Sequence, residues 1–271
     1  MLDGMSRLPY DPEHIARFFD DYGTREWERF DASAMDRVGL EVHLRLLREH
    51  ITENDRVLDA GAGPGRFTLE LARLGATVVA GDISPGQLAL HAEKTASVEE
   101  SVESRELLDI LDLGRFADKS FDAVVCFGGP LSYVLGEADR ALAELLRVVR
   151  PGRPLLLSVM SMLGAARAFF DHFPGLIDEF GWRQAVTDVF ETGDLDGVIN
   201  NGHVLRLYRW SDLEELFNRH PCRVVATSAA NFLSVRNEIW DDRFLELEIA
   251  ACREPGALDG GTHILAVVER L

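Results

Sequence analysis

The residues best suited to chemistry in this 271-residue chain form an acidic, glycine-rich segment, Asp59-Ala60-Gly61-Ala62-Gly63-Pro64-Gly65. Glycines at alternate positions allow positive φ and let a ligand approach the backbone closely. Arg66 stands where the dinucleotide fingerprint G-x-G-x-x-G/A requires glycine or alanine, which argues against NAD. Asp59 would repel a pyrophosphate and instead suits a ligand that carries an ammonium group. The segment therefore predicts a nucleotide-binding turn that prefers a cationic ligand.

Further acidic residues follow the next two predicted strands. Asp82 ends one of them, 21 positions after Gly61, where a carboxylate can accept hydrogen bonds from ribose hydroxyls. Asp109 and Ile110 follow the other strand, and an acidic residue beside an apolar one suits an adenine amine and ring. Because ligands of doubly wound folds bind at the carboxyl ends of the strands, we expect these residues and the glycine turn to form one site.

The elements that position these residues alternate between strand and helix. Strands are predicted at 57–58, 77–80, 102–108, 121–127 and 155–160, with helices at 67–74, 85–96 and 137–150. The unbroken apolar run at 123–127 is typical of a parallel strand covered on both faces. The alternation predicts an α/β, doubly wound fold.

Segments outside this alternation suggest four parts of the chain. They are an N-terminal helical cover (1–52), a Rossmann-like core (53–161), a helical cap inserted after the fifth strand (162–202) and a C-terminal part of the core sheet (203–271). The cap segment is rich in aromatic residues and glycines. In the C-terminal part we predict strands at 203–208, 223–227 and 263–268 and helices at 211–220 and 239–252.

Over about residues 55–160 this arrangement resembles the class I (Rossmann-like) methyltransferases that use S-adenosylmethionine (SAM). Segment 57–65 is similar to their motif I, and Gly81-Asp82-Ile83-Ser84-Pro85 to their ribose-binding strand end. Segments 109–113 and 119–122 resemble the adenine-binding region and the start of strand four, and 147–152 resembles the turn into strand five. The resemblance implies a mostly parallel seven-stranded sheet with an antiparallel last strand. It also implies SAM as methyl donor and S-adenosylhomocysteine (SAH) as product.

The same resemblance implies which residues bind the cofactor. They are Asp59, Gly61, Ala62, Gly63 and Gly65 around the methionine end, Asp82 at the ribose, Ile83, Leu88, Asp109 and Ile110 around the adenine, and Phe127 and Gly128 facing the sulfonium. Tyr22, on an N-terminal helix, is either a further cofactor contact or a core aromatic. One departure from related families lies after strand four, where 127–131 reads Phe-Gly-Gly-Pro-Leu instead of an Asn/Asp-Pro-Pro-aromatic motif. This argues against amino groups of DNA or of protein glutamine as acceptors.

Methyl transfer needs a base only where the acceptor carries a proton that must leave. His203, which begins the segment after the cap, and Tyr133, just past strand four, are our candidates for catalytic residues. His172 and His263 are further candidates. A structural role for His203 stays open, because a lone histidine has many other uses.

The composition of the chain limits its possible partners and its location. A formal net charge of −18 disfavours nucleic acid as a substrate, because such a surface repels phosphate backbones. Cys126, Cys222 and Cys252 form no C-x-x-C pair, which argues against a disulfide framework or a metal site and suits a cytoplasmic location. The chain shows no run of eighteen apolar residues and no signal-peptide pattern, so we expect no membrane segment.

Together these observations predict a SAM-dependent methyltransferase that acts on an O, N or C atom of a small, partly apolar acceptor. We expect a monomer or a homodimer. Two alternatives stay open: an RNA methyltransferase, which the net charge disfavours, and a non-catalytic SAM-binding protein.

Overall fold

A seven-stranded sheet forms the centre of the computed structural model, which describes residues 8–235 and 241–271. The strands of these residues are β1 (Arg56–Ala60), β2 (Thr77–Asp82), β3 (Val102–Leu107), β4 (Ala123–Cys126), β5 (Pro154–Met160), β6 (Asp194–Leu195), β7 (Leu205–Arg206), β8 (Cys222–Ala230) and β9 (His263–Arg270). The sheet has the order β3-β2-β1-β4-β5-β9-β8, and β6 and β7 form a separate ribbon. Neighbours from β3 to β5 are parallel, whereas β9 runs antiparallel to β5 and β8. The implied sheet, with its antiparallel last strand, is confirmed.

Helices cover both faces of this sheet. Within the described residues they are α1 (Pro12–Tyr22), α2 (Arg25–Glu28), α3 (Ala34–His50), α4 (Arg66–Arg73), α5 (Pro85–Lys94), α6 (Pro130–Tyr133), α7 (Ala138–Val148), α8 (Met162–Ala168), α9 (Phe173–Trp182), α10 (Asp188–Thr192), α11 (Trp210–Asn218) and α12 (Asp242–Cys252). Side chains alternate across a strand, so Leu58 belongs to the buried cluster that includes residues of α7 and α11, while its neighbour Val57 belongs to the cluster that includes residues of α3 and α4. Burial on both faces explains the continuous apolar run of β4.

Side-chain caps fix where the site-bearing helices begin. The Asp11 carboxylate accepts a hydrogen bond from the His14 amide at 3.0 Å, with Pro12 in the first turn of α1. The hydroxyls of Ser33 and Ser84 accept from the amides three residues on, at the starts of α3 and α5. The start predicted for the helix at 85–96 is confirmed.

The segment predicted as an inserted cap is helical, with α8, α9 and α10 following β5. The strand predicted at 203–208 is wrong in extent and in partner, because only Leu205–Arg206 is a strand and it pairs with β6, outside the main sheet. Gly193, at φ 83°, ends α10 and turns the chain back, so that the Leu207 amide donates to the Gly193 carbonyl at 2.7 Å. Leu205 and Leu207 then bury their side chains in the apolar cluster under the cap.

One predicted helix boundary lies near the C-terminus. Helix α12 begins at Asp242, and the start predicted at Ile239 lies outside the described residues.

No helix within the described part of the chain has the length and apolarity needed to cross a membrane. In that same part, no three or more His, Cys, Asp or Glu residues are grouped in a way that could hold a metal ion.

Candidate functional site

The glycine turn leaves β1 and lies against the end of β2. The amides of Gly61 and Ala62 both donate to the Gly81 carbonyl, at 2.8 and 2.9 Å. Gly61 and Gly63 have φ values of 79° and 51°, which side chains rarely tolerate. A Cβ on Gly61 would overlap Pro130, whereas the nearest atom to one on Gly63 is 3.8 Å away. The turn is thus closed at its base and open toward the cleft described below.

Asp82, at the end of β2, links the turn to the next helix. Its carboxylate accepts from the Gly63 amide at 2.8 Å and from the Ser84 amide at 2.9 Å. Burial raises the pKa of Asp82 to about 6, although the hydrogen bonds to the amides oppose that shift. The two amide hydrogen bonds therefore fix the carboxylate in position and favour its ionised form.

Asp59 lies behind the turn and does not line the cleft. It is 1% exposed, and one carboxylate oxygen accepts from the Thr68 hydroxyl at 2.7 Å. The other oxygen, Oδ1, is buried and accepts no hydrogen bond from the described residues. Burial raises the pKa of Asp59 to about 7, with a smaller contribution from Asp82 and an opposing one from Thr68. An unpaired buried acceptor is costly, and a ligand cation or a bound water would relieve that cost.

Asp109 is held by two hydrogen bonds just past β3. Its carboxylate accepts from the Tyr10 hydroxyl at 3.0 Å and from the Leu111 amide at 2.8 Å. Tyr10 precedes α1, so the N-terminal cover is tied directly to this end of the site. Burial, and then Asp109, raise the pKa of Tyr10 and keep its hydroxyl a donor.

These residues surround a cleft of about 810 Å³, named here the donor cleft. Of the predicted cofactor residues it is lined by Gly61, Ala62, Gly63, Asp82, Ile83, Asp109, Ile110, Phe127 and Gly128. Leu88 does not line it, because the preceding residue of α5, Gln87, turns toward the cleft and donates to the Phe19 carbonyl at 2.8 Å. Gly65 does not line it either, because it packs against Thr95 and His91 as the start of α4.

A second cavity of about 1280 Å³, named here the acceptor cavity, adjoins the donor cleft. Its walls come from α1, α3, the cap and the start of β9, and include Tyr22, His43, Phe169, His203 and His263. Tyr22, predicted as a cofactor contact, therefore lies in this cavity and not in the donor cleft. The two spaces share Phe19, Glu26, Arg29, Phe30, Phe67, Gly128 and Tyr133.

A half-buried ion pair lies where the two spaces meet. Arg29 Nε donates to Glu26 at 2.6 Å, and a Cβ placed on Gly128 would lie 3.5 Å from the Arg29 guanidinium. Burial opposes the charge of Arg29, but the pairing with Glu26 outweighs it and raises the pKa of Arg29. A fixed cation thus stands beside the end of β4.

The two predicted catalytic residues contact each other in the acceptor cavity. The Tyr133 hydroxyl lies 3.0 Å from His203 Nδ1, and the His203 ring packs 4.1 Å from that of Phe18. Burial lowers the pKa of His203 to about 4, with help from Arg29 and Arg25, so the imidazole is neutral at pH 7 and its Nδ1 can accept a hydrogen bond from the phenol. Burial also raises the pKa of Tyr133.

The two other histidines predicted as candidates lie in different places. His263 lines the acceptor cavity 5.7 Å from the His43 ring, and burial lowers its pKa to about 3. His172 is exposed on the cap and lines neither space.

Several lining residues were not predicted, among them Tyr10, Glu26, Arg29 and Gln87. Glu26 and Arg29 lie in the predicted N-terminal helical cover, where neither periodicity nor a motif marks them. The one signal available was their spacing, since opposite charges three apart pair on one helical turn.

Known protein sequences match the part of the chain that contains the glycine turn. The sequence profile of the family described as "Methyltransferase domain" matches residues 57–152. The demethylmenaquinone methyltransferase of Thermobifida fusca is 34% identical over 164 residues, covering 58% of this chain and 66% of that protein. That of Mycobacterium marinum is 34% identical over 166 residues, with 58% and 64% covered. The matches thus span slightly less than two thirds of these relatives.

Solved structures share the fold at low sequence identity. The 1,6-didemethyltoxoflavin-N1-methyltransferase of Burkholderia thailandensis superposes with a TM-score of 0.60 at 16% identity, covering 95% of this chain and 88% of that one. The [4+2]-cyclase SpnF gives 0.64 at 16% identity and 98% coverage of both chains. The magnesium protoporphyrin IX methyltransferase of Synechocystis PCC 6803 gives 0.61 at 14% identity, with 96% and 99% covered. Residues 57–152 are thus similar to a methyltransferase domain, and the order of the sheet is that of the class I (Rossmann-like) methyltransferase fold.

Proposed function

We propose that this protein transfers the methyl group of SAM to a small-molecule acceptor and releases SAH. The observation that carries the proposal is the meeting of two cavities at Gly128, Arg29 and Tyr133. Nine of the thirteen residues predicted to bind the cofactor line the donor cleft, and the acceptor cavity opens from the end of β4 toward the cap. A methyltransferase needs two such spaces, because both reactants must be held in line for displacement at the methyl carbon.

The residues of the donor cleft fit SAM. Asp82 would accept from the ribose hydroxyls, Asp109 and Ile110 would hold the adenine, and the open turn at Gly63 leaves room for the methionine end. The unpaired Oδ1 of Asp59 supplies negative charge behind that turn. When bound, SAM supplies a methyl group on an electrophilic sulfonium, which needs no metal.

The acceptor cavity favours a small, partly apolar molecule over a polymer. Phe19, Phe30, Phe67 and Phe169 provide apolar walls, and Arg29, His203 and His263 place polar groups among them. The related proteins are named for small acceptors: demethylmenaquinone, 1,6-didemethyltoxoflavin and magnesium protoporphyrin IX. The acceptor atom proposed here is an O, N or C atom that reaches Gly128.

For an acceptor that carries a proton, we propose Tyr133 and His203 as a proton relay. The Tyr133 hydroxyl would accept the acceptor's proton while its own proton passes to His203 Nδ1, 3.0 Å away. The low pKa of His203 keeps it free to accept a proton at pH 7 but makes it a weak base. The pair therefore suits a proton that becomes acidic as the methyl group is transferred.

Replacing Tyr133 with phenylalanine or His203 with glutamine should lower kcat about a hundredfold and leave the Kd for SAH unchanged, since general base catalysis contributes about 10²–10⁴-fold. The measurement is steady-state turnover with the identified acceptor, alongside calorimetric SAH binding. Tyr208→Phe is the matched control, because that buried hydroxyl makes one 3.4 Å contact with the Leu131 carbonyl and lines neither space. Unchanged turnover in both variants would show that Tyr133 and His203 do not relay a proton during catalysis.

The function itself is tested by SAH release. The protein is incubated with methyl-labelled SAM and either a fractionated metabolite extract or bulk RNA, and products are identified by mass spectrometry. Label in a small molecule, with SAH formed in equal amount, supports the proposal. Label in RNA alone would show the RNA methyltransferase alternative, and SAM binding with no transfer to any fraction would show a non-catalytic SAM-binding protein.

A further inference from the structure

Behind the glycine turn, a line of buried side chains connects the surface to Asp59. Arg105 Nε on β3 lies 3.0 Å from His91 Nδ1 on α5, His91 Nε2 lies 3.0 Å from the Thr68 hydroxyl on α4, and that hydroxyl lies 2.7 Å from Asp59 on β1. Thr68 and His91 are fully buried, and neither lines the donor cleft or the acceptor cavity. The proposed chemistry leaves this line without a role.

The donors and acceptors of this line point one way. Arginine Nε can only donate, so His91 Nδ1 accepts and the neutral imidazole carries its proton on Nε2. Thr68 has one proton, which goes to the carboxylate, so its oxygen accepts from His91 Nε2. Each hydrogen bond therefore polarises the next toward Asp59.

The alternative hydrogen bonds of these groups are already used. The Thr95 hydroxyl donates to the His91 carbonyl at 2.7 Å and accepts from Arg105 Nη2 at 3.0 Å, so it does not compete for His91 Nδ1 as a donor. The remaining guanidinium protons face Glu99. A protonated His91 would have to give up Arg105, and burial followed by Arg105 lowers the pKa of His91 to about 4.

We propose that Arg105, His91 and Thr68 are positioning residues that hold the Asp59 carboxylate ionised behind the glycine turn, ready for the ammonium end of the bound ligand. The inference rests on the proposed function, because that ligand is SAM or SAH. Arg105 acts from outside the cleft, through two side chains, on a group that burial alone would drive toward its protonated form.

Other charged and titratable groups around Asp59 do not take this role. Asp82 on β2 is a like charge that favours protonation, and Cys126 on β4 is a buried thiol whose pKa is raised first by burial and then by Asp59. Thr68 is the one hydrogen-bond donor to the Asp59 side chain among the described residues. Loss of the hydrogen bonds that run from Arg105 through His91 to Thr68 should therefore raise the pKa of Asp59 further above its usual range.

The sign of the effect on binding follows from this shift. The ionised carboxylate behind the turn attracts the ligand ammonium electrostatically, so binding weakens as the pH falls below the pKa of Asp59. A variant with a higher pKa loses affinity at low pH and regains it at high pH. One pKa unit corresponds to a tenfold change in the ionised fraction, so we expect about tenfold weaker SAH binding at pH 6 and little change at pH 8.5.

The experiment measures SAH binding by calorimetry from pH 6 to 8.5 for the wild type and for Thr68→Val, Thr68→Ser and Arg105→Gln. Valine has the shape of threonine without its hydroxyl, and serine restores the hydroxyl. Arg115→Gln is the matched control, because it removes one positive charge from a neighbouring pair with Glu106 and makes no contact with His91. Buffers of different ionisation enthalpy report the protons released on binding.

Thr68→Val and Arg105→Gln should shift the affinity–pH profile to higher pH and increase proton release near pH 7, whereas Thr68→Ser and Arg115→Gln should follow the wild type. An equal loss of affinity at every pH would show a purely structural role and overturn the inference. Coincident profiles for all variants would also overturn it while leaving the proposed function intact. If the wild type itself does not bind SAH, the proposed function fails first.

Discussion

Replacing Asp82 with alanine is expected to weaken SAH binding at least about a hundredfold. The carboxylate holds the Gly63 and Ser84 amides at 2.8 and 2.9 Å and is the proposed acceptor for two ribose hydroxyls. Hydrogen bonds to charged groups contribute about 1.5–3 kcal/mol each, so losing two from the ligand costs about 3–6 kcal/mol. That weakens the Kd for SAH by at least about a hundredfold.

Calorimetric titration with SAH measures this loss, with Asp112→Asn as the control. Asp112 is an exposed aspartate whose carboxylate also accepts from a backbone amide two residues on, Gly114 at 3.0 Å, but it lines neither space. Its variant should bind SAH like the wild type. Tight SAH binding by Asp82→Ala would show that the ribose lies elsewhere.

A single methyl group at Gly61 is expected to damage both stability and binding. Its φ of 79° is left-handed, which costs an L-residue about 1–2 kcal/mol. The new Cβ would also overlap Pro130, and overpacking costs about 1–3 kcal/mol more. Gly61→Ala should therefore lose about 2–5 kcal/mol of unfolding free energy, and its displaced turn should bind SAH at least tenfold more weakly.

Gly152→Ala separates the cost of the left-handed backbone from the cost of the overlap with Pro130. Gly152 has a similar φ of 71°, but a Cβ there would meet no atom within 4 Å. It should lose only the backbone contribution, about 1–2 kcal/mol in denaturant unfolding, and bind SAH normally. Equal losses of stability in the two variants would show that Pro130 does not restrict the base of the turn.

The sequence predicts the donor side of the molecule well, because its signals are local. Strand, turn and acidic residue follow one another within a few positions at Asp59, Asp82 and Asp109, and parallel strands bring their carboxyl ends to one edge. The structure places Asp82 and Asp109 on the donor cleft and Asp59 just behind the turn. The error at Leu88 is a shift of one residue, which on a helix is enough to turn a side chain away.

The acceptor side is predicted poorly, because it depends on contacts between distant segments. Arg29 reaches Gly128, about one hundred positions along the chain, and Tyr133 contacts His203, which lies 70 positions further along. The ribbon of β6 and β7 arises from a turn at Gly193, whereas the alternating pattern suggested another strand of the main sheet. None of these pairings leaves a periodic or motif signal in the sequence.

The central claim, that the donor cleft binds SAM, is tested most directly by calorimetric titration of the wild type with SAH and, separately, with NAD⁺. We expect one SAH to bind per chain and NAD⁺ not to bind. SAH at about a thousand times its Kd should also stabilise the folded protein by about 4 kcal/mol. Binding of NAD⁺ without SAH, or of neither ligand, would show that the donor cleft does not bind SAM.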